Sequence, residues 1–300
     1  MSDHGREAMR ISRRAFIRGG GLALLSFGLD PSFLARAALA DPGGTGGRRP
    51  VLVCLFQRGA VDGLSMLVPH GDPAYYRERK RIAIGEGEVI DLDGYFGLHP
   101  ALADLESVWR DGKLTAVPAC GSPQSTRSHF DAQDYMESGT PGVKSTRDGW
   151  LNRYCGQDKT HDTTPFRSVA FGSQLPRVLA GNESALAIQD LQSFGIRGRR
   201  EEARDKITRA FEELYAEAAT GVVASSAEEG FEAAATLRRV SASEYRPANG
   251  ATYPRGRLGR TMSQIAQLIR ADVGLEIAFA EAGGWDTHVN QGASKGQLSN

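Results

Sequence analysis

A chain of 300 residues with 36 Lys and Arg against 36 Asp and Glu carries no net charge, which excludes the strongly basic footprint of a nucleic-acid binder. Its length and its 40% hydrophobic content suffice for one large domain with a sizeable core. The three cysteines, Cys54, Cys120 and Cys155, form no CxxC pair and no zinc-finger spacing, and their odd number leaves at least one unpaired.

The chain opens on an export signal. Ser12-Arg-Arg-Ala-Phe-Ile-Arg18 has the form of a twin-arginine motif. An uncharged stretch, Gly19 to Leu29, follows, and Ala38-Leu-Ala40 supplies a small-x-small cleavage pattern before Asp41-Pro42. An ordinary amphipathic helix does not explain these features in this order. The apolar stretch is too short to cross a bilayer, which takes roughly 20 residues. No later apolar run is long enough either, so the mature chain is expected to have no transmembrane helix. The expected export partner is the twin-arginine translocase, and the expected location is the periplasm or the extracellular space. Removing residues 1–40 takes away six basic and three acidic side chains and leaves 30 against 33, a net charge of −3.

Residues 41–49 read as a Gly-rich linker. Pro50-Val-Leu-Val-Cys-Leu-Phe56 is a continuous apolar run, the pattern of a strand buried on both faces. A loop with Asp62 before Gly63 follows it. The periodicity predicts a helix over His99–Asp111, with Leu102, Leu105 and Trp109 on one face and Gly112 as its stop. Leu114-Thr-Ala-Val-Pro-Ala119 reads as the next strand, which makes a β-α-β unit with a right-handed crossover. Cys54 and Cys120 fall in or beside these strand-like runs, where a buried thiol serves as a small hydrophobe. Ser168–Gly172 is a further short strand. Residues 200–242 form an expected helical insertion, with Ile207, Ala210, Phe211, Leu214 and Tyr215 at helical spacing. Plain packing on the sheet is its favoured role, and a lid the alternative. A helix over Leu258–Ala271 and an alternating strand over Leu275–Ala280 complete the order. The fold class is therefore α/β, a mostly parallel sheet flanked by helices.

Two clusters carry candidate chemistry. After the 275–280 strand, Ala282-Gly-Gly-Trp-Asp-Thr-His288 sets Asp286 and His288 two residues apart. Asp oxygen and His nitrogen together suit a divalent metal such as zinc. The plainer alternative has Asp286 cap a following helix with His288 on its first turn. After the 114–119 run, Ser and Thr crowd a turn and a helix starts near Ser128. A helix N-terminus offers free N–H groups to an anion. Ser128 or Thr126 can then serve as a nucleophile if a metal lowers the hydroxyl's pKa, with Arg127 neutralising the oxyanion. The plainer alternative is a conventional N-cap, with Ser128 bonding backbone N–H groups and Asp131 favouring the first turn. His129 either faces this site or turns into the core as a hydrogen-bonded structural residue.

Several segments in order carry a resemblance: the twin-arginine leader, Leu-Phe-Gln-Arg-Gly-Ala-Val-Asp-Gly-Leu (55–64), Gly-Leu-His-Pro-Ala-Leu (97–102), Thr-Arg-Ser-His-Phe-Asp-Ala-Gln-Asp-Tyr-Met-Glu (126–137), Leu-Pro-Arg-Val-Leu-Ala-Gly (175–181) and Gly-Gly-Trp-Asp-Thr-His (283–288). Over residues 50–300 the chain resembles the exported bacterial family catalogued as domain of unknown function 1501, which is placed by distant similarity in the alkaline phosphatase and sulfatase superfamily. The resemblance implies an alkaline-phosphatase-like α/β fold and one or two divalent metals at strand ends, with zinc, manganese and calcium as candidates. It implies Asp62, Asp286 and His288 as metal ligands and Ser128, with Thr126 as second choice, as nucleophile. It also implies Ser-Glu-Phe-Gly-Arg-Thr and Thr-Asp-His-Gly segments further on, and this sequence has neither. The α/β domain over 50–300 is accordingly expected to be truncated at its C-terminus, with an incomplete catalytic centre and one uncovered sheet edge or face. The implied activity is metal-dependent hydrolysis of phosphate or sulfate esters. The alternative is a non-catalytic protein that binds a cell-envelope partner on the same fold.

Overall fold

The computed structural model describes residues 50–157, 164–191, 233–237, 239–240 and 245–300. The leader, the linker and most of the expected 200–242 helical segment lie outside the described residues, although 233–237 and 239–240 are helical. Seven strands are described: β1 (Leu52–Gln57), β2 (Leu67–Val68), β3 (Ile90–Asp91), β4 (Gly97–Leu98), β5 (Ser168–Phe171), β6 (Leu186–Ile188) and β7 (Ile277–Ala282). The helices are α1 (Gly63–Met66), α2 (Pro73–Glu78), α3 (Glu106–Arg110), α4 (His129–Ser138), α5 (Trp150–Gln157) and α6 (Arg257–Ala271). None is long and apolar enough to cross a membrane, among the described residues.

The protein is α/β. Among the described residues its main sheet has four strands in the order β1-β7-β5-β6. β5 and β6 pair in parallel, with Val169 opposite Leu186 and Phe171 opposite Ile188. Along β1 and β7, Leu52 N–H donates to Glu276 O at 2.8 Å and Arg58 N–H to Ala282 O at 2.7 Å, so these two strands also advance together. The described residues divide into two compact units, with 50–52, 147–157, 164–191, 233–237, 239–240, 245–250 and 263–278 in one and 53–146, 251–262 and 279–300 in the other.

In the first unit all four residues of β5 are buried, as a strand covered on both faces requires. Its one hydroxyl, Ser168 Oγ, lies 3.1 Å from Cys155 Sγ on α5, which brings that helix onto the sheet. Buried Asn152, also on α5, donates to Leu179 O and Glu183 O, both at 2.8 Å, and accepts from Glu183 N–H. Gly181 is needed there, because a Cβ on it would come within 2.0 Å of Asn152 Oδ1. Arg167 and Glu276 form a largely buried ion pair at 2.8 Å where β7 begins.

In the second unit a small antiparallel sheet, β2-β4-β3, pairs Leu67 with Leu98 and Ile90 with Leu98. Val68, Tyr75 and Ile84 form a core beside it. His99 is buried, and its Nδ1 accepts the Ala101 N–H at 3.0 Å. The proton must then sit on Nε2, which donates to Ala293 O at 3.1 Å. This histidine is structural.

Several expectations are corrected. The helix expected over 99–111 is a 3₁₀ turn, Pro100–Leu105, that runs into α3, and Gly112 follows it at φ +66° as the expected stop. The run 114–119 is not a strand: none of its residues joins a ladder, Pro118 lacks a donor, and Ala119 has φ +54°. The neighbour of β1 is instead β7, more than two hundred residues later in sequence. Cys120, beyond that run, is exposed rather than packed. Among the described residues β1 is an end strand of the sheet, and Leu52, Val53 and Leu55 on it are each more than a third exposed, so it is not the strand buried on both faces that its apolar run predicts.

Candidate metal centre

Because β1 and β7 run side by side, the loops beyond their carboxyl ends meet. This is the edge where α/β sheets build sites. Gly59, in the loop after β1, approaches the Trp285–Asp286 peptide so closely that a Cβ on it would lie 2.7 Å from Asp286 N. Its φ of +132° also suits glycine alone. The Gly283-Gly284 pair lets the chain turn out of β7, with Gly284 at φ +98°.

The third contributor is α4. Ser128 is its N-cap, and its Oγ accepts the Asp131 N–H at 3.2 Å. Thr126 Oγ1 accepts the Ser128 N–H at 3.1 Å, and Arg127 is exposed. Capping places His129 as the first helical residue. Its Nε2 lies 3.6 Å from Asp286 Oδ2, so His129 faces the β7 loop and not the core. Asp286 Oδ1 in turn lies 2.8 Å from His288 Nε2. The two imidazole rings are 5.9 Å apart at 59°. One ligand atom from each of His129, Asp286 and His288 lies within 4.8 Å of the others. No helix follows β7 among the described residues, so Asp286 does not cap one.

The three residues differ in exposure, with side chains 22% accessible at His129, 41% at Asp286 and 72% at His288. His129 and Asp286 border an open cleft of about 440 Å³ lined also by Arg58, Phe130, Gln133 and Glu137. His129, Gln133 and Glu137 follow one another at four-residue spacing and so form one stripe of α4. That stripe meets the β1 loop. Gln133 Oε1 accepts the Gly59 N–H at 3.2 Å, and Glu137 Oε1 receives Arg58 at 2.5 Å. Arg58 also pairs with Glu281 on β7 and lies over the Phe56 ring. Burial disfavours the charge on Arg58, but the two carboxylates outweigh it and hold the guanidinium above its ordinary pKa. Arg58, Glu137 and Glu281 thus tie the end of β1, the end of β7 and α4 together. Sequence reasoning missed all three. The four-residue stripe on α4 and a glutamate near the end of an apolar strand were the available signals.

Asp62 is not a member of the three-residue group. Its Oδ2 accepts from Ser65 Oγ at 2.9 Å, from Gln291 Nε2 at 2.6 Å and from Arg79. Burial works against its charge, but the bonds from Gln291 and Ser65 and the Arg79 guanidinium outweigh it, so its pKa falls below the ordinary 3.8. Gln291 Oε1 accepts from Thr287 Oγ1 at 3.0 Å, and Thr287 lies between Asp286 and His288.

The donor set suits a metal that takes imidazole and carboxylate together. Two imidazoles and one carboxylate leave further coordination positions open, the condition for a catalytic rather than a closed structural site. Tetrahedral zinc with ligands at roughly 2.0–2.1 Å separates neighbouring ligand atoms by about 3.4 Å. The 3.6 Å from His129 Nε2 to Asp286 Oδ2 is close to that spacing, and His288 Nε2 lies 2.8 Å from the other carboxylate oxygen, Oδ1. No protein-family model, curated protein or solved structure matches the chain.

Proposed function

We propose that this chain is an exported, divalent-metal-dependent hydrolase of phosphate or sulfate esters, on an alkaline-phosphatase-like fold of the kind its resemblance to the 1501 family implies. The observation that carries this reading is the convergence of one ligand atom each from His129, Asp286 and His288 within 4.8 Å, beside an open cleft that His129 and Asp286 line. His129, Asp286 and His288 hold the cation. Two imidazoles favour zinc or manganese over calcium, which prefers oxygen ligands throughout. When bound, such an ion supplies Lewis acidity and neutralises charge on the ester. Ser128, one residue before His129 at the start of α4, is the nucleophile of this reading, with Thr126 behind it and Arg127 as partner for the anion. The cleft itself is lined by the carboxylates of Asp134, Glu137 and Asp286 and by one guanidinium already paired, so an anionic ester depends on the cation to enter.

The leader makes the site an extracytoplasmic one, reached through the twin-arginine translocase. Arg13→Lys with Arg14→Lys should leave the precursor unprocessed in the cytoplasm, and processed double variant in the periplasm would overturn export by this route.

The decisive experiment is zinc and manganese titration of the chain by calorimetry, followed by turnover of aryl phosphate and aryl sulfate with and without chelator. Saturable binding with chelator-sensitive turnover is expected. Failure to bind either ion would sink the metal reading. Tight binding with no turnover of either ester would move the protein to the alternative, a binding protein for a cell-envelope partner.

A further inference from the structure

Asp62 is the carboxylate that the resemblance offers as a metal ligand, yet the structure gives it another set of partners. Its Oδ2 takes hydrogen bonds from Ser65 and Gln291 and an ion pair from Arg79. An ionised carboxylate only accepts, so the Gln291 amide must turn its NH₂ towards Asp62. That fixes Gln291 Oε1 as an acceptor. The Thr287 hydroxyl, 3.0 Å from it, must donate. The direction of every proton along the chain Thr287–Gln291–Asp62 is therefore set by the charge at its end. Asp62 is held in turn by Arg79 and Ser65, which bond the same Oδ2, and Arg79 is only 17% exposed.

We infer that Asp62 and Gln291 are positioning residues that order the Asp286–His288 loop through the Thr287 hydroxyl, and that Asp62 is not itself a metal ligand. The inference rests on the metal reading above for its functional consequence, although the tether exists in the metal-free loop. The loop is in need of such a device. Asp286 and His288 are exposed side chains on an irregular segment that follows two glycines, and Gly284 has φ +98°. An exposed loop of this kind has many conformations, and ordering it before the cation arrives lowers the entropy lost on binding. Thr287 alternates with the two ligands along the chain. Anchoring its side chain on the inner side leaves those of Asp286 and His288 to meet His129. Partners behind the ligands of a metal site commonly set its affinity within about 10–100-fold.

The test has two arms. In the metal-free chain, amide hydrogen exchange over 284–288 should accelerate in Gln291→Leu and Thr287→Val and return to the parent rate in Thr287→Ser, which keeps the hydroxyl. Unchanged exchange in both variants overturns the tether whether or not the protein takes up metal. In the second arm, zinc affinity is measured by calorimetry and the ligand set by the visible absorption of the cobalt(II) form. Gln291→Leu, Thr287→Val and Asp62→Asn should each weaken zinc by roughly tenfold or more with the cobalt bands unmoved. The Gln291→Leu, Thr287→Val pair should be no worse than either alone, since both cut the same chain. If Asp62→Asn abolishes binding and shifts the cobalt bands while Gln291→Leu changes neither, Asp62 is a ligand and the inference fails. If the parent chain binds no zinc, the metal reading fails by itself, and the exchange arm still decides the tether.

Discussion

Gly59 and Asp286 stand back to back across the edge of the sheet: a Cβ built on Gly59 would lie 2.7 Å from the Asp286 backbone nitrogen. The contact is backbone to backbone, so no side-chain rotation relieves it, and the φ of +132° at Gly59 adds its own strain for any other residue. Gly59→Ala should therefore either push the 285–288 segment away or destabilise the fold by about 2–4 kcal/mol. Chemical denaturation measures the second, and zinc affinity reports the first. A variant with parent stability and parent affinity would show that the two loops are not packed as described.

Removing ligands and removing the cap should separate cleanly. His129→Ala and Asp286→Ala each delete a donor of the three-residue group, and each should reduce zinc affinity by more than the roughly 100-fold expected for an outer partner. Ser128→Ala deletes the N-cap bond to Asp131 N–H and should lower stability by about 1 kcal/mol. It should leave zinc affinity near the parent value and abolish ester turnover if Ser128 is the nucleophile. Turnover that survives in Ser128→Ala but not in Thr126→Ala would transfer that role to Thr126.

What could be read from the sequence follows from how local each signal is. β1 and β7 were legible as apolar runs because strand propensity lies in their own residues, whereas the burial expected of β1 on both faces depends on neighbours and is not found. The 114–119 run looks the same but forms no ladder. A strand also needs a partner, and which strand lies beside β1 is a tertiary fact, answered by β7. Ser128 as a cap was legible from Ser128 and Asp131 alone. Asp286 and His288 were legible as a pair because they sit two residues apart. His129 joins them only through the crossing of α4 over the β7 loop, which no spacing encodes. Asp62 stood out as an acid beyond a strand, but its partner Gln291 is a neutral residue 229 positions away, and nothing in its neighbourhood marks it.

The charge on Asp62 should appear in the pH dependence of stability. Its pKa is depressed in the folded chain below the ordinary 3.8, since the bonds from Gln291 and Ser65 and the Arg79 charge outweigh burial. For a depressed carboxylate the folded state binds the proton less readily than the unfolded one. The stabilisation is thus complete above the unfolded value and is lost as pH falls through the folded one. Asp62→Asn should melt lower than the parent at neutral pH, where it leaves Arg79 unpaired, and the gap should narrow as pH drops below about 4. A gap that stays constant from neutral to acid pH would mean that Asp62 carries no linked proton.

The three cysteines are free, and their surroundings predict different reactivity. Burial pushes the Cys54 thiol up to about 11, which leaves only about one part in a thousand as thiolate at pH 8. Burial also raises Cys155, with the Ser168 hydroxyl working the other way, and Cys155 is closed off from solvent inside the first unit. Cys120 is exposed just beyond the unpaired 114–119 run. Under native conditions a chromogenic disulfide reagent should label one thiol quickly. Cys120→Ser should remove that phase, and Cys54→Ser should leave it intact. In denaturant all three thiols should react together. Fast native labelling of Cys54 would mean that β1 detaches from β7, and with it the loop that carries Gly59 to the Asp286 segment.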